Sequence, residues 1–379
     1  MIITNYLEIM ELLKLASNEV RNDDCHRKKL LYIMGIDWNW IFQRPQIIEQ
    51  HLERTYDVTV VFPRSILRWH NRPRVRYPQD YRILWTLPLQ EKNKFISCLV
   101  ALWSKRLFRD IHEYDVVWIG YPLYYRYIPE SYGGKVIYDC MDNHEALYPD
   151  QKRINRLLCQ ETALVSHCDR LIVTGTKLSR KMEAWSGSRH KIALVRNGTT
   201  LDKVISPCPF VSKKKYKLGY FGTIAEWFDY ELLVESLAEI SCIEYHLIGP
   251  VTKVYKTTST NIFFEGTVEH SDLPEVTKDY DCLLMPFKVD DIVQWVDPVK
   301  LYEYIALGKC IIAPKYAEIE HFKDYVYFYS SHREYIQLIN KLIPLGFPPK
   351  YSSSQQEYFL RNNSWEARFK EIDLILNNL

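Results

Sequence analysis

Short apolar runs rich in β-branched and aromatic residues alternate with amphipathic helical patterns along nearly the whole chain, and the plan runs through twice. That alternation predicts an α/β fold with parallel sheets. In the first half the runs predict strands over 30–35, 58–62, 116–120, 135–139, 170–174 and 192–195. Helical patterns fall over 44–53, 93–109, 151–167 and 176–185. The runs at 30–35 and 116–120 are almost continuously apolar, as buried parallel strands require. The second half predicts strands over 216–221, 245–248, 262–265, 282–287 and 310–313, with helices over 230–240, 272–278 and 298–306. A Thr/Ser/Pro/Lys-rich stretch at 197–215 reads as a linker. A last helix is expected over 365–379, after a polar Ser/Gln/Asn region. With 379 residues the chain suits two doubly wound domains. Ligands of such sheets bind outside the carboxyl ends of the strands.

Composition narrows the class. Hydrophobic residues make up 47% and charged residues 25%, as in globular proteins. The net charge of +2 gives no sign of a nucleic-acid partner. Residues 1–200 nevertheless hold 30 basic and 22 acidic residues, against 19 and 25 in the remainder. The basic half is expected to meet something anionic, a phosphate-bearing lipid or a membrane surface. From 64 to 82, Arg64, Arg68, Arg72, Arg74, Arg76 and Arg82 interleave with Trp69, Tyr77 and Tyr81, with Trp85 just beyond. This suits an anionic bilayer or a polyprenyl-diphosphate acceptor; a solvated loop would look the same. Nine cysteines without CxxC or zinc-ligand spacing suggest free thiols in a reduced cytosol. The opening residues lack a basic start and a cleavage site, and Ile9, Leu12, Leu13, Leu15 and Ala16 read as an amphipathic helix rather than a signal peptide. The localisation expected is cytoplasmic, with peripheral attachment to the inner face of the cell membrane as an extension.

The most informative segment is DPVKLYEYIALGKCIIAP, 297–314. A helix starts at Pro298, with Asp297 expected as N-cap. Its free N–H groups suit a diphosphate. Lys300 adds a charge for phosphate, and Glu303, one turn on, suits a ribose diol. A plain i,i+3 salt bridge on an amphipathic helix would give the same spacing. Gly222 and Thr223 follow a strand and precede a helix, fitting either backbone approach to phosphates or a tight turn. Asp139 and Asp142 end a strand on the cleft side. One carboxylate there can deprotonate an acceptor hydroxyl; Asp142 is preferred, with Asp139 and His144 as rivals, and a turn-capping role would also suit Asp139. Asp37, Trp38, Arg44 and His144 are expected at the acceptor, with packing as the alternative for Trp38 or Trp40. GxGxxG, a P-loop and a catalytic metal cluster are all missing from the expected places, so no cofactor and no metal are expected.

In order and spacing these pieces resemble the GT-B glycosyltransferases, two Rossmann-like domains facing across a cleft. GYFGTIAEWFDYELL (219–233), HLIGP (246–250) and FFEGTVEHSDLPEV (263–276) resemble their donor domain, and VRNGTTLD (195–202) the hinge. WNWIFQRPQ (38–46) and VIYDCMDNHEAL (136–147) resemble the acceptor domain of a bacterial exopolysaccharide and teichuronic-acid branch, with the xanthan-pathway glucuronosyltransferase more distant. The resemblance covers about 30–325. It implies an acceptor domain over 1–200, a donor domain over 201–360 and a C-terminal helix within 361–379 packing back on the first domain. It further implies metal-independent transfer from a nucleotide-sugar, with UDP expected, to a glycan or lipid-linked acceptor. The donor residues implied are Gly222, Thr223, Gly249, Val268, Asp297, Pro298, Lys300 and Glu303. One departure stands out. Of the two glutamates carried by the large retaining family, the first position holds Trp295 here. The Lys-x-x-acidic arrangement of the inverting glucuronosyltransferase branch fits better. A nucleotide-sugar epimerase or an inactive GT-B subunit are the rival readings.

Overall fold

The computed structural model describes residues 27–40, 42–68, 76–88, 93–201, 213–253 and 259–379. The amphipathic helix expected near Ile9–Ala16, the residues Trp69, Arg72 and Arg74, and most of the expected linker lie outside them.

Seven parallel strands form the first sheet, in the order β3-β2-β1-β4-β5-β6-β7. They are β1 (Lys29–Ile33), β2 (Asp57–Ser65), β3 (Asp80–Thr86), β4 (Val116–Ile119), β5 (Lys135–Cys140), β6 (Arg170–Val173) and β7 (Ile192–Leu194). Helices α1 (Arg44–Leu52), α2 (Lys94–Lys105), α3 (Gln151–His167) and α4 (Thr176–Ser186) connect them. Strand β1 shows why its run is continuously apolar. Leu31 and Ile33 enter the core on one face of the sheet, Leu30 and Tyr32 the core on the other. With both faces covered, the polar alternation of a half-exposed strand would be penalised.

The second sheet has the order β10-β9-β8-β11-β12-β13 and is also parallel. Its strands are β8 (Tyr216–Phe221), β9 (Ile243–Ile248), β10 (Ile262–Gly266), β11 (Cys282–Leu284), β12 (Cys310–Pro314) and β13 (Tyr327–Tyr329). The helices are α5 (Tyr230–Glu239), α6 (Leu273–Val276), α7 (Val299–Ala306), α8 (His332–Leu342) and α9 (Ser353–Asn363). The last helix, α10 (Trp365–Asn377), leaves this half and closes one face of the first sheet. Its stripe of Trp365, Phe369, Ile372 and Leu376 is buried among Tyr32, Trp38 and Ile48. Each such side chain removed from water is worth about 1.5–3 kcal/mol. His51 of α1 stacks on Phe369 at 4.0 Å and meets Asp373 Oδ1 at 2.7 Å.

Each sheet reverses its strand order once, between β1 and β4 and between β8 and β11. These are the two switch points at which open α/β sheets hold ligands.

Candidate active site

At the second switch point the backbone forms a bare floor. Gly222 follows β8 with φ +132°, and Gly249 follows β9 with φ +137°. A Cβ at Gly222 would lie 2.3 Å from Lys300 Cε and 2.7 Å from its Nζ. One at Gly249 would lie 2.1 Å from the Gly222 carbonyl oxygen. The positive φ makes any side chain strained at both positions, one at Gly249 would also strike the backbone, and Lys300 lies against Gly222. Its ammonium is 5.7 Å and 5.6 Å from the Tyr220 and Phe287 ring centroids, within cation–π range. Burial lowers its pKa, and Glu303 partly opposes this. The Tyr220 hydroxyl donates to the Thr223 carbonyl at 2.8 Å, fixing the turn. Val268, beyond β10, is half-buried against the same core.

One expectation about the 297–303 segment needs correction, and the plain Lys300–Glu303 salt-bridge alternative is not formed. Helix α7 begins at Val299 with Pro298 as the N-cap residue, and Asp297 does not cap it. The Asp297 carboxylate is buried instead, accepting from the Tyr302 hydroxyl at 3.0 Å and the Asn197 N–H at 2.9 Å. Burial raises its pKa to about 6, although Arg196 pulls the other way. The Glu303 carboxylate does not pair with Lys300. It bonds His270 Nε2 at 2.6 Å, a partner 33 residues away, and that bond raises the His270 pKa. His270, which the sequence reading passed over, thus joins Lys300 and Glu303.

The two halves are latched by groups that pattern reading also missed. Gly175, the N-cap residue of α4, has no side chain to cap with, and Glu318 from the second half takes that place. Its carboxylate accepts from Thr176 N–H at 2.8 Å and Lys177 N–H at 2.9 Å. Arg196 closes the latch, meeting Glu318 at 2.7 Å and Asp297 at 3.5 Å. Trp295 lies at the same seam, with Lys177 Nζ 4.1 Å and Lys181 Nζ 5.8 Å from its ring centroid.

The loop after β5 reaches that seam. Lys181 donates to Asn143 Oδ1 at 2.5 Å and Glu145 Oε1 at 3.0 Å, so it joins the loop carrying Asp142 to Trp295. Asp142 is half-buried, and burial raises its pKa. Asp139 is wholly buried and salt-bridged to Arg44 at 3.0 Å. That pairing corrects two expectations: neither Asp139 as a base nor Arg44 as an acceptor ligand fits groups bound to each other inside the protein. His144 is 4% exposed, packed edge-on against Tyr121, and burial drives its pKa down to about 3, so it does not present itself to an acceptor. Trp38 is 1% exposed and donates through Nε1 to the Arg76 carbonyl at 3.1 Å, a packing role. Asp37 stays half-exposed, accepting from Asn39 N–H at 3.0 Å.

The basic stretch is partly consumed by structure. Arg64 is buried and bonds the Tyr77 hydroxyl. Arg82 grips Asp110 through two bonds of 2.7 and 2.6 Å. Beside it, α2 exposes Phe95, Leu99, Leu102 and Trp103. Lys105, Arg106 and Arg109 follow, also exposed. Among the described residues, no helix is long and apolar enough to cross a membrane.

Two parallel-sheet α/β halves, each with one switch point, and a terminal helix that crosses back to the first half make up the GT-B fold. Solved structures agree over nearly the whole chain. The lipopolysaccharide outer core galactosyltransferase WaaB superposes with a TM-score of 0.66 at 12% identity, covering 92% of this chain and 99% of that one. The Anabaena HepE complex with UDP-glucose gives 0.66 at 12%, covering 93% and 100%. Sucrose-phosphate synthase from Thermosynechococcus elongatus gives 0.70 at 12%, covering 93% and 99%. No family model matches the sequence. A putative teichuronic acid biosynthesis glycosyltransferase, TuaH of Bacillus subtilis, is 23% identical over 265 residues, 63% of this chain. The match spans 66% of that relative, just under two thirds of its length.

Proposed function

We propose that the chain is a glycosyltransferase that moves a sugar from a nucleoside diphosphate donor, a UDP-sugar, to a cell-surface glycan or lipid-linked acceptor. The second half, 201–360, binds the donor and the first, 1–200, the acceptor. The observation that carries this reading is Lys300 lying on the bare Gly222–Gly249 floor at the switch point. Diphosphate needs backbone approach and a cation, and both are there. The N-terminus of α7 adds its partial positive charge. Glu303, held by His270, faces the ribose. On this reading Asp142 takes the proton from the acceptor hydroxyl. That oxygen bonds the anomeric carbon as the bond from anomeric carbon to phosphate oxygen breaks. The leaving diphosphate keeps the electron pair, and Lys300 and the helix terminus stabilise it.

Lys300→Ala is expected to weaken UDP binding by about 1.5–3 kcal/mol, roughly 10- to 150-fold, the scale of a charged hydrogen bond. Calorimetric titration of UDP measures it. Unchanged affinity would remove Lys300 from the donor site.

The acceptor half is further proposed to rest on an anionic bilayer through α2 and the cations after it, rather than through Arg64 and Arg82. An exposed apolar helix face flanked by basic residues fits that surface. Leu99→Glu with Trp103→Glu should abolish flotation with anionic liposomes. Wild-type binding should fall with added salt. Equal flotation with neutral vesicles would count against the proposal.

A further inference from the structure

One cluster lies outside the donor floor and takes no part in the transfer described above. Cys140 ends β5, His144 stands on the next turn and Glu161 lies on α3. All three are buried, with exposures of 0%, 4% and 0%. One ligand atom from each, a sulfur, an imidazole nitrogen and a carboxylate oxygen, lies within 4.8 Å of the others. Neither His144 nitrogen has a hydrogen-bond partner, nor does Glu161 Oε2. An unsatisfied buried polar group costs about 1–3 kcal/mol, and one ion could satisfy a His144 nitrogen and the Glu161 carboxylate together.

We propose that Cys140, His144 and Glu161 bind a divalent transition-metal ion of the zinc class. The donor set fits: thiolate, imidazole and carboxylate are the ligands of Zn²⁺, at about 2.3, 2.0–2.1 and 2.0–2.2 Å. Tetrahedral coordination at those lengths puts ligand atoms about 3.5 Å apart, so small side-chain rotations close the observed spacing. The charge balance fits as well. Without a metal, the thiol and carboxyl must stay protonated or leave two charges in the core. With one, a thiolate and a carboxylate neutralise it. Both would bind deprotonated, so binding releases their protons to solvent. The Tyr138 hydroxyl donates to Glu161 Oε1 at 2.5 Å, the outer bond that orients a ligating carboxylate. Lys181 acts electrostatically on all three groups but is engaged by Asn143 and Glu145. Two ligands bracket Asp142, and Cys140 Sγ lies 3.6 Å from the Asp142 carbonyl. The ion would pin the loop that carries Asp142 to β5 and α3 and is not needed for transfer chemistry. The proposal departs from the sequence expectation of no metal; the spacing of these residues matches no zinc motif, so the cluster was not legible in the sequence.

The test uses the full chain, stripped with a chelator and titrated with Co²⁺ and then Zn²⁺. One equivalent of Co²⁺ should bind with a thiolate-to-cobalt charge-transfer band. Zn²⁺ should displace it and raise the Tm by several degrees. Cys140→Ala and His144→Ala should each lose the band, and Cys168→Ala, at another buried thiol, should keep it. X-ray absorption at the zinc edge of the wild-type protein should show one sulfur at about 2.3 Å with nitrogen and oxygen ligands, a result that does not depend on the variants folding. A missing band, a band surviving in both Cys140 and His144 variants, or a zinc environment without sulfur would overturn the proposal. These readouts need no sugar transfer, so their failure leaves the proposed function standing.

Discussion

Asp142→Asn is expected to keep donor affinity and lose turnover by about 10²–10⁴-fold, the usual share of a general base. The side chains are nearly isosteric, so the loop should survive the change. Its neighbours anchor it independently, through Lys181 on Asn143 and Glu145 and through the 3.6 Å contact from Cys140 Sγ. The donor floor belongs to the other sheet and is untouched. The rivals are weaker on physical grounds. Asp139 is committed to Arg44, and His144 is buried with its pKa near 3. Because burial raises the Asp142 pKa, the acid limb of the pH profile should lie above the ordinary carboxylate value of about 3.9. Activity should rise with pH through that limb as the base ionises, and the limb should disappear from the residual rate of Asp142→Asn. The product should carry the inverted anomeric configuration. Steady-state kinetics across pH and NMR of the product check all three. Near-normal turnover, or a retained anomer, would assign the proton transfer to another group.

What the sequence made legible follows from range. Strands buried on both faces announce themselves, and those expected at 216–221 and 135–139 appear as Tyr216–Phe221 and Lys135–Cys140. Strand β3 was hidden because DYRILWT carries an arginine; Asp110, 28 residues away, neutralises it. Helix α9 was read only as a polar Ser/Gln/Asn region, because the role of Gln356 is visible only in three dimensions, where its amide donates to the Ile305 and Ala306 carbonyls. In the candidate site, Lys300 and the glycine turns were readable, since helix start and strand end are local signals. The His270–Glu303 bond and the Glu318 cap on α4 were not, because their partners are 33 and 142 residues apart. Cys140, His144 and Glu161 meet only because β5 and α3 pack together.

Arg44→Met is expected to destabilise the protein by about 3–5 kcal/mol, the cost of stranding one charge of a buried pair. Arg44 and Asp139 side chains are 4% and 1% exposed. The guanidinium donates twice to Asp139, at 3.0 and 3.3 Å, and through its other terminal nitrogen to the Val195 and Arg196 carbonyls, at 3.0 and 3.3 Å. It also lies 6.0 Å from the Trp365 ring centroid. One side chain therefore ties the start of α1, the end of β5, the strap between the halves and the returning helix α10. Removing it leaves the Asp139 carboxylate without its cation and two strap carbonyls without a donor. Asp139→Leu alone should be comparably damaging, because it strands the guanidinium. The double variant, Arg44→Met with Asp139→Leu, should recover much of the loss, since an apolar pair of similar volume leaves no buried charge. Urea denaturation of the four proteins gives the coupling energy directly. Single variants costing under about 1 kcal/mol would mean the pair is solvated. Unchanged stability with lost acceptor use would instead return Arg44 to the substrate site, the role its sequence context first suggested.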